Sequence, residues 1–223
     1  MASKLHLLIM GPAGSGKGTQ SEKIVEKYNL VHLSTGDMFR AAISNKTEAG
    51  LKAKTYMDDG KLVPDEITIS LVKERLLADD IKERGFLLDG FPRTVGQARA
   101  LKKLLSEIKM PLNLIIDLMV DRKVLEDRIT GRRMCRKCGA IYHMDNKPPK
   151  VAGICDIDGG ELYQRTDDTK ESLEVRLKEY QMLTAPVRDY YEGDARIADI
   201  NATQGVDKVF AEVDLELRRI LND

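Results

Sequence analysis

Apolar residues cluster into five short runs along the chain: LHLLIM (5–10), VHL (31–33), FLLD (86–89), LNLIIDL (112–118) and RIADI (196–200). Their apolarity is continuous rather than alternating. A strand with one wet face alternates, so continuous runs predict strands covered on both faces. Between them the pattern takes on a helical period, as in SEKIVEKY (21–28) and ITISLVKERLLADDIKER (67–84). This alternation predicts an α/β fold, a five-stranded parallel sheet flanked by helices.

Two segments break the rhythm. One, STGDMFRAAISNKTEAGLKAKTYMDDGKLVPDE, lies between the second and third runs and reads as short helices. The other, from about Gly131 to Asp168, has no helical period and is rich in Gly, Pro and Lys (NKPPKVAG). It reads as an insertion with a small structure of its own.

Charge narrows the function classes. Lys+Arg and Asp+Glu both number 36, so the overall field draws the chain toward neither nucleic acid nor membrane. Trp is absent and aromatics are few, which weakens a base-stacking role. No apolar stretch approaches a membrane span, and MASKLHLLIMG is too short for a secretory signal. Three cysteines, all within 135–155, do not suit a disulfide framework. A cytoplasmic enzyme with a local metal site fits better.

The first run leads into GPAGSGKGTQ (11–20), the frame of a phosphate-binding loop. Small residues let successive backbone N–H groups curl around a phosphate, and the helix that follows directs its positive end there. Lys17 then reaches the β- and γ-phosphates as a point charge. Gly18 stands where a magnesium-binding Ser or Thr is usual, and the hydroxyl comes one residue later, on Thr19. FLLDGFPRT (86–94) ends a buried strand at Asp89, at the strand end where ligands sit in open α/β sheets. Asp89 is thereby a candidate to orient the water shell of a nucleotide-bound Mg²⁺, and Arg93 a candidate phosphate ligand. Arg128 and Arg132 would share a helix face if the helix before the insertion continues that far.

At this point the chain resembles the adenylate kinase family. GPAGSGKGTQ, STGDMFRA, GKLVPDE, GFLLDGFPRT, DRITGRR, YQRTDD and YYE occur in that family's order and spacing over nearly the whole length. STGDMFR and LLDGFPRT are far more specific than the phosphate loop, and the displaced hydroxyl is the family's own pattern. The resemblance implies the fold of the phosphate-loop nucleoside-monophosphate kinases and the reaction ATP + AMP ⇌ 2 ADP with Mg²⁺. It implies ATP phosphates on Gly14, Ser15, Gly16, Lys17, Gly18 and Thr19, with Arg132, Tyr142 and Gln204 near the ATP nucleoside. It implies AMP among Thr35, Arg40, Lys61, Val63, Gly90, Arg93 and Gln97, with Arg165 and Arg176 also reaching it. Arg128, Arg132, Arg165 and Arg176 would surround the transferring phosphoryl group. Residues 34–63 would be a mobile AMP-binding domain and 131–168 a mobile lid on a core of 1–33, 64–130 and 169–223. The expected protein is a cytoplasmic monomer with no nucleic-acid or membrane partner. A UMP/CMP-type kinase and a zinc-dependent nucleic-acid-binding protein are the rival readings.

The cysteines raise a separate question. CRKCG (135–139) and CDIDG (155–159) share the pattern Cys-x-x-ligand-Gly. Two such knuckles bring Cys135, Cys138, Cys155 and, by internal echo, Asp158 to one tetrahedral ion. His143 and Asp156 are rivals for the fourth place. His143 falls outside both knuckles, and Asp156 adjoins Cys155. A structural zinc in a lid of this Cys₃Asp kind is what the family's long bacterial forms imply. A lid too small for a hydrophobic core needs such a tie.

Overall fold

The computed structural model describes residues 4–222, so residues 1–3 and 223 of the expected core lie outside the described residues. All five apolar runs are strands. They are β1 (Leu5–Met10), β2 (Val31–Ser34), β3 (Gly85–Asp89), β4 (Leu114–Met119) and a last strand, Arg196–Asn201. The 131–168 segment forms a separate three-stranded antiparallel sheet of β5 (Arg132–Cys135), β6 (Ile141–His143) and β7 (Leu162–Tyr163). The last strand is therefore β8, and the large sheet is parallel throughout in the order β2-β3-β1-β4-β8.

Continuous apolarity has the expected cause. Along β1, Leu8 and Met10 pack into one core with Leu33, Phe86, Leu88 and Ile115, while Leu5, Leu7 and Ile9 pack into another with Leu87, Leu114, Ile116 and Leu118. The second core is closed by α1 (Lys17–Tyr28) and α10 (Val206–Asn222), through Ile24 and the one-face series Val209, Val213, Leu217. The first is closed by α4 (Asp65–Leu76), α5 (Asp79–Arg84), α6 (Val95–Glu107) and α9 (Ala185–Tyr191). Each fully buried Leu or Ile contributes about 1.5–3 kcal/mol of transfer free energy.

The helical pattern at 67–84 is two helices rather than one. The chain turns extended at Ala78, and Asp80, bridged to Arg75 at 2.7 Å, opens the second helix so that Ile81 reaches the core. In the 34–66 segment, α2 (Thr35–Ser44) and α3 (Glu48–Asp58) enclose a small core of Phe39, Ala53 and Val63. The remaining helices are α7 (Arg122–Thr130) and α8 (Lys170–Glu179). The α7 helix stops at Thr130, so Arg132 lies on β5 and does not share a helix face with Arg128. A π-helical turn, Tyr180–Thr184, joins α8 to α9. No helix among the described residues is long and apolar enough to cross a membrane.

Candidate active site

Strand register assembles the centre of the site. Ile9 pairs with Asp89, and Asp89 with Ser34, so the loop after β1, the turn after β3 and the start of α2 emerge side by side. In the first loop Lys17 folds back and donates to the carbonyls of Gly11 (2.7 Å) and Pro12 (3.0 Å), which holds its ammonium over the loop. In the second, Gly90 adopts φ +78, and its carbonyl accepts from Thr35 Oγ1 (2.8 Å) and Arg93 Nε (2.7 Å). A side chain at Gly90 would meet both donors within 3 Å, so only glycine lets them close on one carbonyl. A side chain at Gly18 would come to 3.0 Å from Ile141 Cδ1 on β6.

Arg93 is braced from behind. Its backbone N–H donates to Gln97 Oε1 (2.7 Å), Gln97 Nε2 donates to Asp65 Oδ1 (2.8 Å), and Thr184 Oγ1 of the π-helical turn donates to the Arg93 carbonyl (3.0 Å). Thr94 caps α6 and donates to the other Asp65 oxygen at 2.7 Å.

The remaining cations come from other segments. Arg132, on β5, forms a bidentate pair with the fully buried Asp168 carboxylate. Arg176, on α8, meets Asp167 Oδ2 at 3.1 Å. Arg165 reaches to 3.9 Å from Asp37 Oδ1 on α2, where Arg40 already binds the same oxygen. Arg128 directs its guanidinium at the carbonyls of Ser15 and Thr203, 3.5 Å from each.

Crowding and burial set the electrostatics. Burial, with Arg93, Arg176 and Arg132 nearby, pushes the Lys17 ammonium down to about 8 despite the attraction of Asp89. Burial and Arg176 bring Arg93 down to about 10, and burial with Arg40 and Arg132 does the same to Arg165. Asp89 is driven up by burial, yet His32, Lys17 and Arg93 outweigh that and hold it below the usual carboxylate range. His32 Nε2 lies 3.5 Å from Asp89 Oδ2, an ion-pair distance rather than a formed hydrogen bond.

Two cavities open onto these groups. The larger, about 1020 Å³, is lined by Gly14 through Thr19, Arg40, Asp89, Arg93, Arg128, Arg132, Tyr142, Arg165, Arg176 and Gln204. The smaller, about 120 Å³, shares Lys17, Arg40, Arg93 and Arg176 with it and adds Lys61 and Gly90. Thr35, Val63 and Gln97 are buried behind these walls: Thr35 and Gln97 in the hydrogen bonds above, Val63 in the α2/α3 core. Sequence reasoning passed over Asp37, Asp167 and Asp168. The RTDD stretch was the available signal, since two acids follow an arginine there with only Thr166 between.

Cys135, Cys138, Cys155 and Asp158 offer ligand atoms that all lie within 4.8 Å of one another. Cys138 Sγ and Cys155 Sγ are 3.6 Å apart, close to the edge of a tetrahedron with metal–sulfur bonds of about 2.3 Å. Asp158 Oδ1 sits 3.3 Å from Cys135 Sγ and is fixed by the Gly160 N–H at 2.9 Å. The donor set fits a thiophilic divalent ion. The two rivals point elsewhere: His143 accepts from the Asp145 and Asn146 N–H groups beside Gly131, and Asp156 accepts from the Lys150 N–H.

The sequence pattern of the adenylate kinase family matches residues 9–196. An adenylate kinase of Carboxydothermus hydrogenoformans is 54% identical over 215 residues, covering 96% of this chain and 100% of that protein. The chain belongs to the adenylate kinase family. An adenylate kinase of Bacillus subtilis is 53% identical over 209 residues (94% of this chain, 96% of that one), and one of Listeria monocytogenes is 54% identical over 210 residues (94% and 97%). Its reaction is accordingly the reversible, Mg²⁺-dependent phosphoryl transfer ATP + AMP ⇌ 2 ADP.

Proposed function

We propose that the cations divide the adenylate kinase reaction between them as follows. Lys17 and the N–H groups of Gly14 to Thr19 hold the ATP phosphates. Arg132, Tyr142 and Gln204 flank its nucleoside. Arg40, Lys61, Gly90 and Arg93 receive AMP, with Thr35, Val63 and Gln97 shaping that site. The observation that carries this reading is the convergence of Lys17, Arg40, Arg93, Arg128, Arg132, Arg165 and Arg176 on one cleft from separate segments.

The chemistry asks for little else. An AMP phosphate oxygen, already anionic, attacks the γ-phosphorus of ATP as the bond to the β–γ bridging oxygen breaks, and ADP leaves. No proton need move for the transfer itself. Charge spreads over the three equatorial oxygens in the transition state, so catalysis is positioning and neutralisation. Arg128, Arg132, Arg165 and Arg176 surround those oxygens, their planar forks matched to phosphate. Asp89, kept ionised, orients water on the Mg²⁺ that ATP carries. The acids Asp37, Asp167 and Asp168 hold the arginines until phosphates take their place.

Residues 34–63 and 131–168 act as moving parts that close over the nucleotides and exclude water, which would otherwise hydrolyse ATP. Their separate small cores and the separate antiparallel sheet support this division. Cys135, Cys138, Cys155 and Asp158 would hold a structural zinc, whose chemistry is to tie two knuckles into one rigid body. Three free thiols suit a reducing cytoplasm.

The test is ADP formation from Mg-ATP with AMP, CMP, UMP and GMP compared, and metal content measured on the same preparation. Strong preference for AMP with about one zinc per chain is the expected result. Equal use of CMP or UMP would overturn the assignment of the AMP site.

A further inference from the structure

The lid has almost no apolar interior. Its buried cluster consists of Cys135, Cys155 and Tyr142, with Ala140 and Leu162 packed against them. Tyr142 is the one large ring in that cluster, and it also lines the nucleotide cleft. Its hydroxyl lies 3.4 Å from Cys155 Sγ and 2.8 Å from the Asp156 backbone nitrogen.

These two contacts decide where the tyrosine proton goes. The Asp156 nitrogen can only donate, so the phenolic oxygen is its acceptor. The O–H is then left to point at the other neighbour, the sulfur. A thiolate bound to a cation gains from such a donor, because the hydrogen bond draws charge off the sulfur and fixes its lone-pair direction. The backbone supplies the equivalent donors elsewhere in the cluster, from Lys137 N–H to Cys135 Sγ at 3.3 Å and from Gly160 N–H to Asp158 Oδ1 at 2.9 Å. At Cys155 a side chain joins the backbone groups of Ile157 and Asp158 in this, and the same side chain is part of the cleft wall.

We propose that Tyr142 is a positioning residue of the lid's metal centre, whose hydroxyl donates to the Cys155 ligand while its ring walls the nucleotide cleft, so that ligand and wall move as one piece. This rests on the reading that the Cys₃Asp cluster holds a metal. On the cleft side, the Lys147 ammonium lies 5.4 Å from the centre of the ring and stiffens its placement.

The test uses the full chain loaded with Co²⁺, whose sulfur-to-metal charge-transfer band reports on the ligating thiolates. The unaltered protein, Tyr142→Phe, and Tyr163→Phe (a lid tyrosine whose ring packs on Arg136 at 4.3 Å) are compared in absorbance and in competition with a chelator. Tyr142→Phe should move the band to longer wavelength, because the sulfur regains charge, and should weaken Co²⁺ binding by roughly 10–100-fold. Tyr163→Phe should match the unaltered protein in both. Replacing Tyr142 with 3-fluorotyrosine keeps the ring and strengthens the donor, so the band should move the opposite way even if Tyr142→Phe folds poorly. Weaker binding with an unmoved band would reduce Tyr142 to packing and overturn the proposal, as would a band that ignores fluorination. Failure of the unaltered chain to bind Co²⁺ at all would overturn the metal reading and this inference with it.

Discussion

The parallel sheet and the 131–168 segment deliver cations to the same cleft, yet they are held together in different ways. In the sheet, position follows from burial and register: Leu7, Leu8 and Leu88 are fully buried, and backbone pairing puts Asp89 beside the phosphate loop. In the 131–168 segment, three short strands enclose little more than two cysteines and a tyrosine, and on the proposed reading a metal at the ligand cluster supplies the rigidity that packing supplies elsewhere. The difference teaches why a kinase can carry both. On that proposal, a lid that swings without deforming gains more from a local cross-link than from a core it is too small to build.

The sharpest way to break this comparison is to remove charge without touching either scaffold. Lys17→Met should lower kcat by about 10²–10³-fold, the usual loss for one donor aimed at transition-state charge, while the thermal transition and metal content stay near those of the unaltered protein. Steady-state rates beside a melting curve would check it. Next, Leu88→Ala removes a fully buried side chain under Asp89 and should cost about 2–5 kcal/mol in urea unfolding. Its lid should bind metal as tightly as before, measured by chelator competition; a matching loss of metal affinity would mean that the two bodies are not separately stabilised.

A third effect is smaller and depends on pH. Lys17 loses its proton near pH 8 in the folded, nucleotide-free enzyme. The kcat/KM for Mg-ATP should therefore fall about tenfold per pH unit above that value, since this ratio reports the free enzyme, and the limb should vanish in Lys17→Arg. For stability the sign is opposite. Below about 8 the lysine is protonated in both states, whereas between about 8 and its ordinary 10.5 only the unfolded chain holds the proton. This group's contribution to stability hence rises with pH across that window.

Much of the sheet was legible in the sequence because strands buried on both faces leave unbroken apolar runs. Leu5–Met10 matches its run residue for residue, and the other four strands lie within one or two residues of theirs. The phosphate loop and the two cysteine knuckles were legible for a related reason, since each is a local motif whose spacing carries its geometry. Tertiary pairing was not. Nothing local says that Arg132 meets Asp168, or that His32 comes to 3.5 Å from Asp89 across neighbouring strands. Helix ends were legible only in part: periodicity ran through Ala78, where the chain turns, and it left open whether the helix before the insertion reaches Arg132, which the stop of α7 at Thr130 decides. The fourth metal ligand is an instructive middle case. An internal echo pointed to Asp158, but the orientations of His143 and Asp156 were needed to set the rivals aside.

The most direct test of the account is amide hydrogen exchange on the full chain before and after metal extraction, without nucleotide. The account predicts that protection collapses in β5, β6 and β7 on extraction, while β1, β3 and β4 exchange as slowly as before. Loss of protection across both sheets together, or in neither, would contradict the claim that burial holds one and the ligand cluster the other.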